Sequence, residues 1–152
     1  MEDALTPDER QQISLMLNPA EEVLWQGRSL AASRREVASP VGLVQRLRSW
    51  FGAKAPRPLV EAELSHLYVL TNKRVIDTLG GKLVQEWPLM LGMVQKVELR
   101  EDASGDIVFD YAPGAAAGML LPCGILQVAD VAGVQAKLAA AIDAAYLASP
   151  WT

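Results

Sequence analysis

The sequence predicts a mainly β fold with helices, in the α+β class. Short runs of alternating apolar and polar residues, bounded by turn residues, occupy most of 59–128, which is typical of antiparallel strands. The pair Gly80-Gly81 joins two of these runs by a loop short enough for a tight hairpin. A run with helical spacing, capped by Asp130, follows the last strand. These observations predict a sheet or partial barrel that a C-terminal helix closes at one end.

The first element is a helix, because Thr6 is a good N-cap residue and Glu9 stands three positions later, as in a capping box. The prolyl bond after Asn18 ends this helix. Residues 1–18 are therefore an N-terminal helical extension, and the main domain runs over 19–149.

An inserted segment follows the first strand, which the alternation in "EEVLWQG" places at 21–27. We interpret 36–58 as a linker and a short amphipathic helix, with the helix at 41–54. Large apolar residues recur on one side of that helix and form the apolar strip, our candidate interaction surface. The strip consists of Leu43, Leu47, Trp50 and Phe51.

The remaining strands form two predicted hairpins and a last strand. The glycine pair joins "RVIDTL" to "KLVQEW", and the polar loop "EDASG" joins "MVQKVELR" to "DIVFDYA". A two-residue loop sets Leu79 opposite Lys82, and an unbroken ladder then sets Arg74 opposite Trp87 as a cross-strand cation–π pair. The alternative left open is that Arg74 simply solvates a strand edge.

Thr71 and Asn72 precede that arginine at an interruption between two strands. Side chains of these types bond local backbone groups at turns. We therefore predict that Thr71, Asn72, Arg74 and Trp87 serve structure rather than ligand binding.

The last helix has two different faces. We expect one to pack against the sheets and the other, which is smooth and nearly uncharged, to meet another subunit or the N-terminal helix. The first face consists of Val131, Val134, Leu138 and Ile142, and the second of Ala132, Ala136, Ala139 and Ala140.

Four segments bring a family resemblance. "LNPAEEVLWQGR", "YVLTNKRVI", "EWPL" and "GILQVADVAGVQAKL" resemble the bacterial pleckstrin-homology-like (PH-like) family over most of 18–147. The resemblance implies a partial barrel of two roughly orthogonal antiparallel sheets closed by the C-terminal helix, and no catalysis. The inserted helix departs from that pattern.

The segment 28–57 carries seven cations and one acid, a net charge of +6 in a chain whose net charge is −4. In eukaryotic relatives of the resembled family, the loop after the first strand binds inositol phosphates through basic residues. The candidate contacts to phosphate or anionic lipid are accordingly Arg28, Arg34, Arg35, Arg46, Arg48 and Lys54. The acidic balance of the whole chain and the lack of a binding motif predict no nucleic-acid partner.

Catalytic, metal and cofactor sites are not predicted. One cysteine, Cys123, and one histidine, His66, provide neither a disulfide nor a metal site of the usual spacing. His66 has no nucleophile signature near it, so we expect a surface or strand-entry residue. "LGGK" is too short for a phosphate-binding loop.

Location follows from two patterns. The longest uncharged stretch, 111–129, contains Pro113 and Pro122, so we expect no transmembrane helix. The acidic "MEDALTPDERQQ" differs from a secretory signal, and we expect a cytoplasmic protein, with peripheral membrane attachment as an alternative.

Three functions remain open. The first is a non-enzymatic PH-like interaction module that self-associates or docks a protein partner through the apolar strip. The second is peripheral binding to anionic membrane through 28–57. The third is a small-ligand carrier or an enzyme with a cavity between sheet and helix.

Overall fold

A computed structural model describes residues 5–30 and 65–148, which form two helices and seven strands. The α+β class predicted from the sequence is confirmed. The inserted helix predicted at 41–54 lies outside the described residues. In chain order the elements are α1 (Pro7–Met16), β1 (Val23–Arg28), β2 (His66–Thr71), β3 (Arg74–Leu79), β4 (Lys82–Pro88), β5 (Lys96–Leu99), β6 (Gly105–Pro113), β7 (Leu120–Val128) and α2 (Val131–Leu147).

The strands form two antiparallel sheets. One has four strands in the order β1-β2-β3-β4, and the other has three in the order β5-β6-β7. Every neighbour in space is thus a neighbour along the chain, as in a series of hairpins. Within the described residues the sheets do not close into a barrel.

The start of α1 is fixed by a capping box, as the sequence predicted. The Thr6 hydroxyl accepts a hydrogen bond from the backbone N–H of Glu9 at 3.2 Å, and the Glu9 carboxylate accepts one from the Thr6 N–H at 2.8 Å. These bonds satisfy N–H groups that a helix end leaves unpaired.

Strand β2 is buried on both faces. Tyr68 and Leu70 point into the main core between the sheets and α2, whereas Leu67 and Val69 belong to a second, smaller core. That second core includes Ile13 of α1. Helix α1 therefore covers the outer face of the four-stranded sheet, which explains why β2 is apolar along most of its length.

Helix α2 completes the main core. All four residues predicted for its inner face are buried, and Leu138 is 0% exposed. The four alanines of its other face are exposed. The expectation that α1 covers this face is wrong, because α1 packs in the second core on the outside of the four-stranded sheet. Contact with another subunit stays a prediction.

The predicted pairing of Arg74 with Trp87 is wrong. The ladder starts as expected, with Leu79 opposite Lys82, but Val84 is an extra residue at a β-bulge. Beyond the bulge the register shifts by one, so Trp87 stands opposite Val75 and Arg74 opposite Pro88. The Trp87 ring instead packs edge-on against Phe109, with centroids 5.1 Å apart, and contributes to the main core.

Candidate functional site

Most of the predicted interaction residues lie outside the described residues. This applies to the whole apolar strip, Leu43, Leu47, Trp50 and Phe51, and to the cations Arg34, Arg35, Arg46, Arg48 and Lys54. The candidate site is therefore described from its two ends, where β1 leads into the inserted segment and β2 leads out of it.

The two ends are held side by side. The Ser29 backbone N–H donates to the His66 carbonyl at 2.9 Å, and the His66 N–H donates to the Ser29 hydroxyl at 3.0 Å. Arg28 and Leu67 are opposite each other in the preceding step of the ladder. The segment 31–64 thus leaves and re-enters the domain at one point.

The same point is tied to the second sheet. The Leu30 N–H donates to the Gln127 carbonyl at 2.7 Å. Gln127 has φ of 57°, in the left-handed region, and the Asp106 carboxylate accepts its N–H at 2.7 Å. The other oxygen of Asp106 accepts a hydrogen bond from Arg100 at 2.8 Å. The charged hydrogen bonds hold a backbone shape that a non-glycine residue rarely adopts.

Arg28 is the only predicted phosphate contact among the described residues, and it already has an anionic partner. Its Nη2 lies 2.6 Å from the Glu9 carboxylate of α1. That hydrogen bond, together with the bonds from Thr6 and against the effect of partial burial, lowers the pKa of Glu9 from 4.5 to about 2. A phosphate or lipid headgroup must compete with a carboxylate that stays ionised at neutral pH.

His66 is at a strand entry, as expected, but it is buried rather than at the surface. Its Nδ1 lies 2.6 Å from Oδ1 of Asp77 on β3, and both side chains are nearly inaccessible. The ring stacks on Tyr68 with centroids 5.8 Å apart. Asp77 was not among the residues predicted from the sequence. The signal for it is a carboxylate inside the mostly apolar strand "RVIDTL".

Thr71 organises the turn between β2 and β3. Its hydroxyl accepts the backbone N–H groups of Lys73 at 3.1 Å and Arg74 at 3.0 Å. It also lies 2.7 Å from Oε1 of Glu21, to which it donates. The predicted bonding to local backbone is present, and the bond to Glu21 extends it to the segment before β1.

Asn72 holds that segment through three further bonds. Its Oδ1 accepts the Glu22 N–H at 2.9 Å, its own N–H donates to the Glu22 carbonyl at 3.0 Å, and its side-chain amide donates to the Ala20 carbonyl at 3.4 Å. These bonds attach the segment between α1 and β1 to the turn between β2 and β3.

Arg74 is the centre of this cluster. Its Nε donates to Glu21 at 2.9 Å, its Nη2 donates to the Met16 carbonyl at the end of α1 at 2.5 Å, and its Nη1 pairs with Glu86 of β4. Burial raises the pKa of Glu21, but hydrogen bonds from Arg74, Thr71 and Asn18 outweigh it, and the pKa lies below 4.5. The guanidinium joins α1, β3, β4 and the link before β1.

A small cleft lies between α1 and the β3–β4 hairpin. Its volume is about 130 Å³, below the range of about 300 Å³ upward for small-molecule sites. Its lining combines the Glu9–Arg28 pair with apolar side chains such as Ile13 and Met16. Within 5–30 and 65–148 no three His, Cys, Asp or Glu side chains are grouped closely enough to hold a metal ion.

Comparison with known proteins gives no relative. No protein-family model matches the chain, and neither a curated protein nor a solved structure matches it. The resemblance to the PH-like family therefore stays a prediction. Among the described residues, no helix has the length and apolar character needed to span a membrane.

Proposed function

We propose that the chain is a non-enzymatic PH-like interaction module that self-associates, or docks a protein partner, through the apolar strip at 41–54. The observation that carries this proposal is that the two ends of 31–64, which contains the inserted segment, lie next to each other in the domain. Two hydrogen bonds between Ser29 and His66, one accepted by the His66 carbonyl and one by the Ser29 hydroxyl, hold the two ends of 31–64 side by side. Binding residues are commonly carried on segments that a rigid scaffold positions.

The order of elements supports the PH-like part of the proposal. Two antiparallel sheets, followed in the chain by one helix that packs on the core, agree with the order of elements that the resemblance implies. The motif "YVLTNKRVI" falls on β2, the following turn and β3. Thr71, Asn72 and Arg74 of this motif form hydrogen bonds with Glu21 and Glu22, just before β1, and so have a structural role.

The composition of the strip supports a protein as its partner. Four large apolar side chains within nine residues contribute roughly 1.5 to 3 kcal/mol each when buried. A membrane would cover them too, but an amphipathic helix of about three turns without a second anchor gives weak, reversible attachment. Arg28, the one described cation of the basic segment, is already paired with Glu9.

The test compares Trp50→Ser/Phe51→Ser with a control, Val37→Ser, which lies in the inserted segment 36–58 but outside the strip. The first double change should lower the mass of the assembly in light scattering, and the control should not. The unaltered chain should not sediment with anionic liposomes at physiological salt.

Salt-sensitive liposome binding that the Trp50→Ser/Phe51→Ser change abolishes would replace this proposal with membrane attachment. The Arg34→Ala/Arg35→Ala double variant would then show whether the basic residues add to that binding, as expected near an anionic surface.

A further inference from the structure

The pair formed by His66 and Asp77 lies where 31–64 re-enters the domain. His66 is the first residue of β2, and its backbone N–H and carbonyl form the two hydrogen bonds with Ser29. Its side chain is 3% exposed and that of Asp77 is 8% exposed, with Nδ1 and Oδ1 2.6 Å apart. One residue thus joins a buried ionisable pair to the contact that holds the two ends of 31–64 together.

We propose that this pair makes the contact between Ser29 and His66 sensitive to pH: the contact is maintained while the His66 ring is protonated and opens when the ring loses its proton. A protonated ring and an ionised carboxylate have a net charge of zero. Loss of the proton changes the charge of the buried pair to minus one, and a charge inside a protein costs free energy that contact with water relieves. Water reaches the pair if the start of β2 separates from Ser29.

The direction of the effect follows from the charge of the pair. Histidine ordinarily changes its charge between about pH 5 and 8. The stabilisation that the protonated ring gives is therefore complete at the acidic end of this range and is lost as the pH rises. His66 is the only histidine in the chain, so a histidine titration in this range reports on this pair alone.

Other titratable groups lie on the elements around the pair. Carboxylates, tyrosine, lysine and arginine ordinarily change charge outside the range of histidine. Within the described residues these groups are Glu9 of α1, Arg28 of β1, Tyr68 of β2, Lys82 of β4, and Asp106 and Arg100 of the second sheet. Arg28 is paired with Glu9 and Arg100 with Asp106, while Lys82 is exposed.

The consequence for binding rests on the proposed function, in which 31–64 carries the contact surface. Opening of the contact between Ser29 and His66 releases the two ends of that segment from each other. Self-association through the apolar strip should then weaken as the pH rises.

The inference is tested by NMR on the full chain. The Cε1–H resonance of His66 gives the protonation state of the ring. Hydrogen exchange gives the protection factor of the Ser29 N–H, a ratio to the intrinsic exchange rate, so that the pH dependence of the exchange chemistry cancels. We expect this factor to fall about tenfold between about pH 5.5 and 8, together with the loss of the ring proton, because hydrogen bonds to charged groups are the stronger ones.

Three variants test the cause. Asp77→Asn should remove or reverse the fall in protection, because its pair is neutral when the ring is neutral. Asp143→Asn, at an exposed carboxylate in α2, is the control and should leave the fall unchanged. His66→Gln has no ring proton to lose and should show no fall. If His66→Gln does not fold, the unaltered chain and Asp77→Asn decide the question.

The outcomes separate this inference from the proposed function. A ring that keeps one protonation state across this range, or that titrates while the Ser29 protection stays constant, overturns the inference, as does an equal fall in Asp77→Asn. Neither result affects a mass that Trp50→Ser/Phe51→Ser lowers, so the proposed function then stands. A fall in protection in a chain that is monomeric at every pH supports the inference and contradicts self-association through the apolar strip.

Discussion

At the scale of single residues, Arg74 has a structural role although it lies in a polar sequence motif that is typical of a protein surface. Its charge lies against a Glu21 side chain that is 0% exposed. An ionised carboxylate in that position is tolerated only because the guanidinium, Thr71 and the Asn18 N–H bind it. Residues of the motif "TNKR" thus bind the pair "EE", which lies fifty residues earlier in the sequence. The sequence alone does not reveal this contact.

Arg74→Ala should therefore lower the free energy of unfolding by about 3 kcal/mol, because it leaves the buried Glu21 carboxylate without its cation. Lys73→Ala, at the exposed neighbouring position, should change it by less than about 0.5 kcal/mol. Urea unfolding of both variants measures the difference. Equal stabilities would show that the Arg74 cluster contributes nothing.

The Glu9–Arg28 pair predicts a response to acid. The pKa of Glu9 is lowered in the folded state, so its contribution is present in full above 4.5 and is lost as the pH falls towards about 2. Glu9→Gln keeps a capping residue but removes the charge, and should cost roughly 1 to 2 kcal/mol at neutral pH. The free energies of unfolding of Glu9→Gln and of the unaltered protein should converge as the pH approaches 2.

Asp8→Asn is the control for Glu9→Gln, since Asp8 is exposed in the same helical turn. The difference in free energy of unfolding between Glu9→Gln and the unaltered protein should shrink at low pH. If it stays constant down to the lowest pH, the ion pair is not its source.

At the scale of elements, the helices were the most predictable part. The capping box of α1 and the buried line of α2 depend on spacings within a few residues, which the sequence displays directly. The tight turn at Gly80-Gly81 is equally local, and both glycines have positive φ. The predicted register beyond this turn was wrong because one bulged residue, Val84, shifts every later pair by one position.

Leu138→Ala tests the packing of α2. The side chain lies fully inside the main core, and its truncation should cost about 2 to 5 kcal/mol. Ala139→Ser, at the next and exposed position, should have little effect. Thermal or urea unfolding gives both values, and a loss below about 1 kcal/mol for Leu138→Ala would show that α2 is loosely packed.

At the scale of the whole molecule, the fold class followed from the sequence but the contacts between distant segments did not. The burial of His66 against Asp77 and of Glu21 against Arg74 each depends on which strand passes a given point. The double burial of β2 arises from α1, a segment that the sequence presents as an extension. Of the candidate site, only Arg28 and the base of the inserted segment are in the described residues, so the strip itself stays a prediction.

The most direct test of the account is the mass of the full chain in solution, measured by sedimentation equilibrium beside the Trp50→Ser/Phe51→Ser variant. We expect the unaltered chain to have a mass well above the 16.5 kDa of one copy, and the double change to lower that mass. A mass of 16.5 kDa for both proteins at every concentration would contradict self-association through the apolar strip.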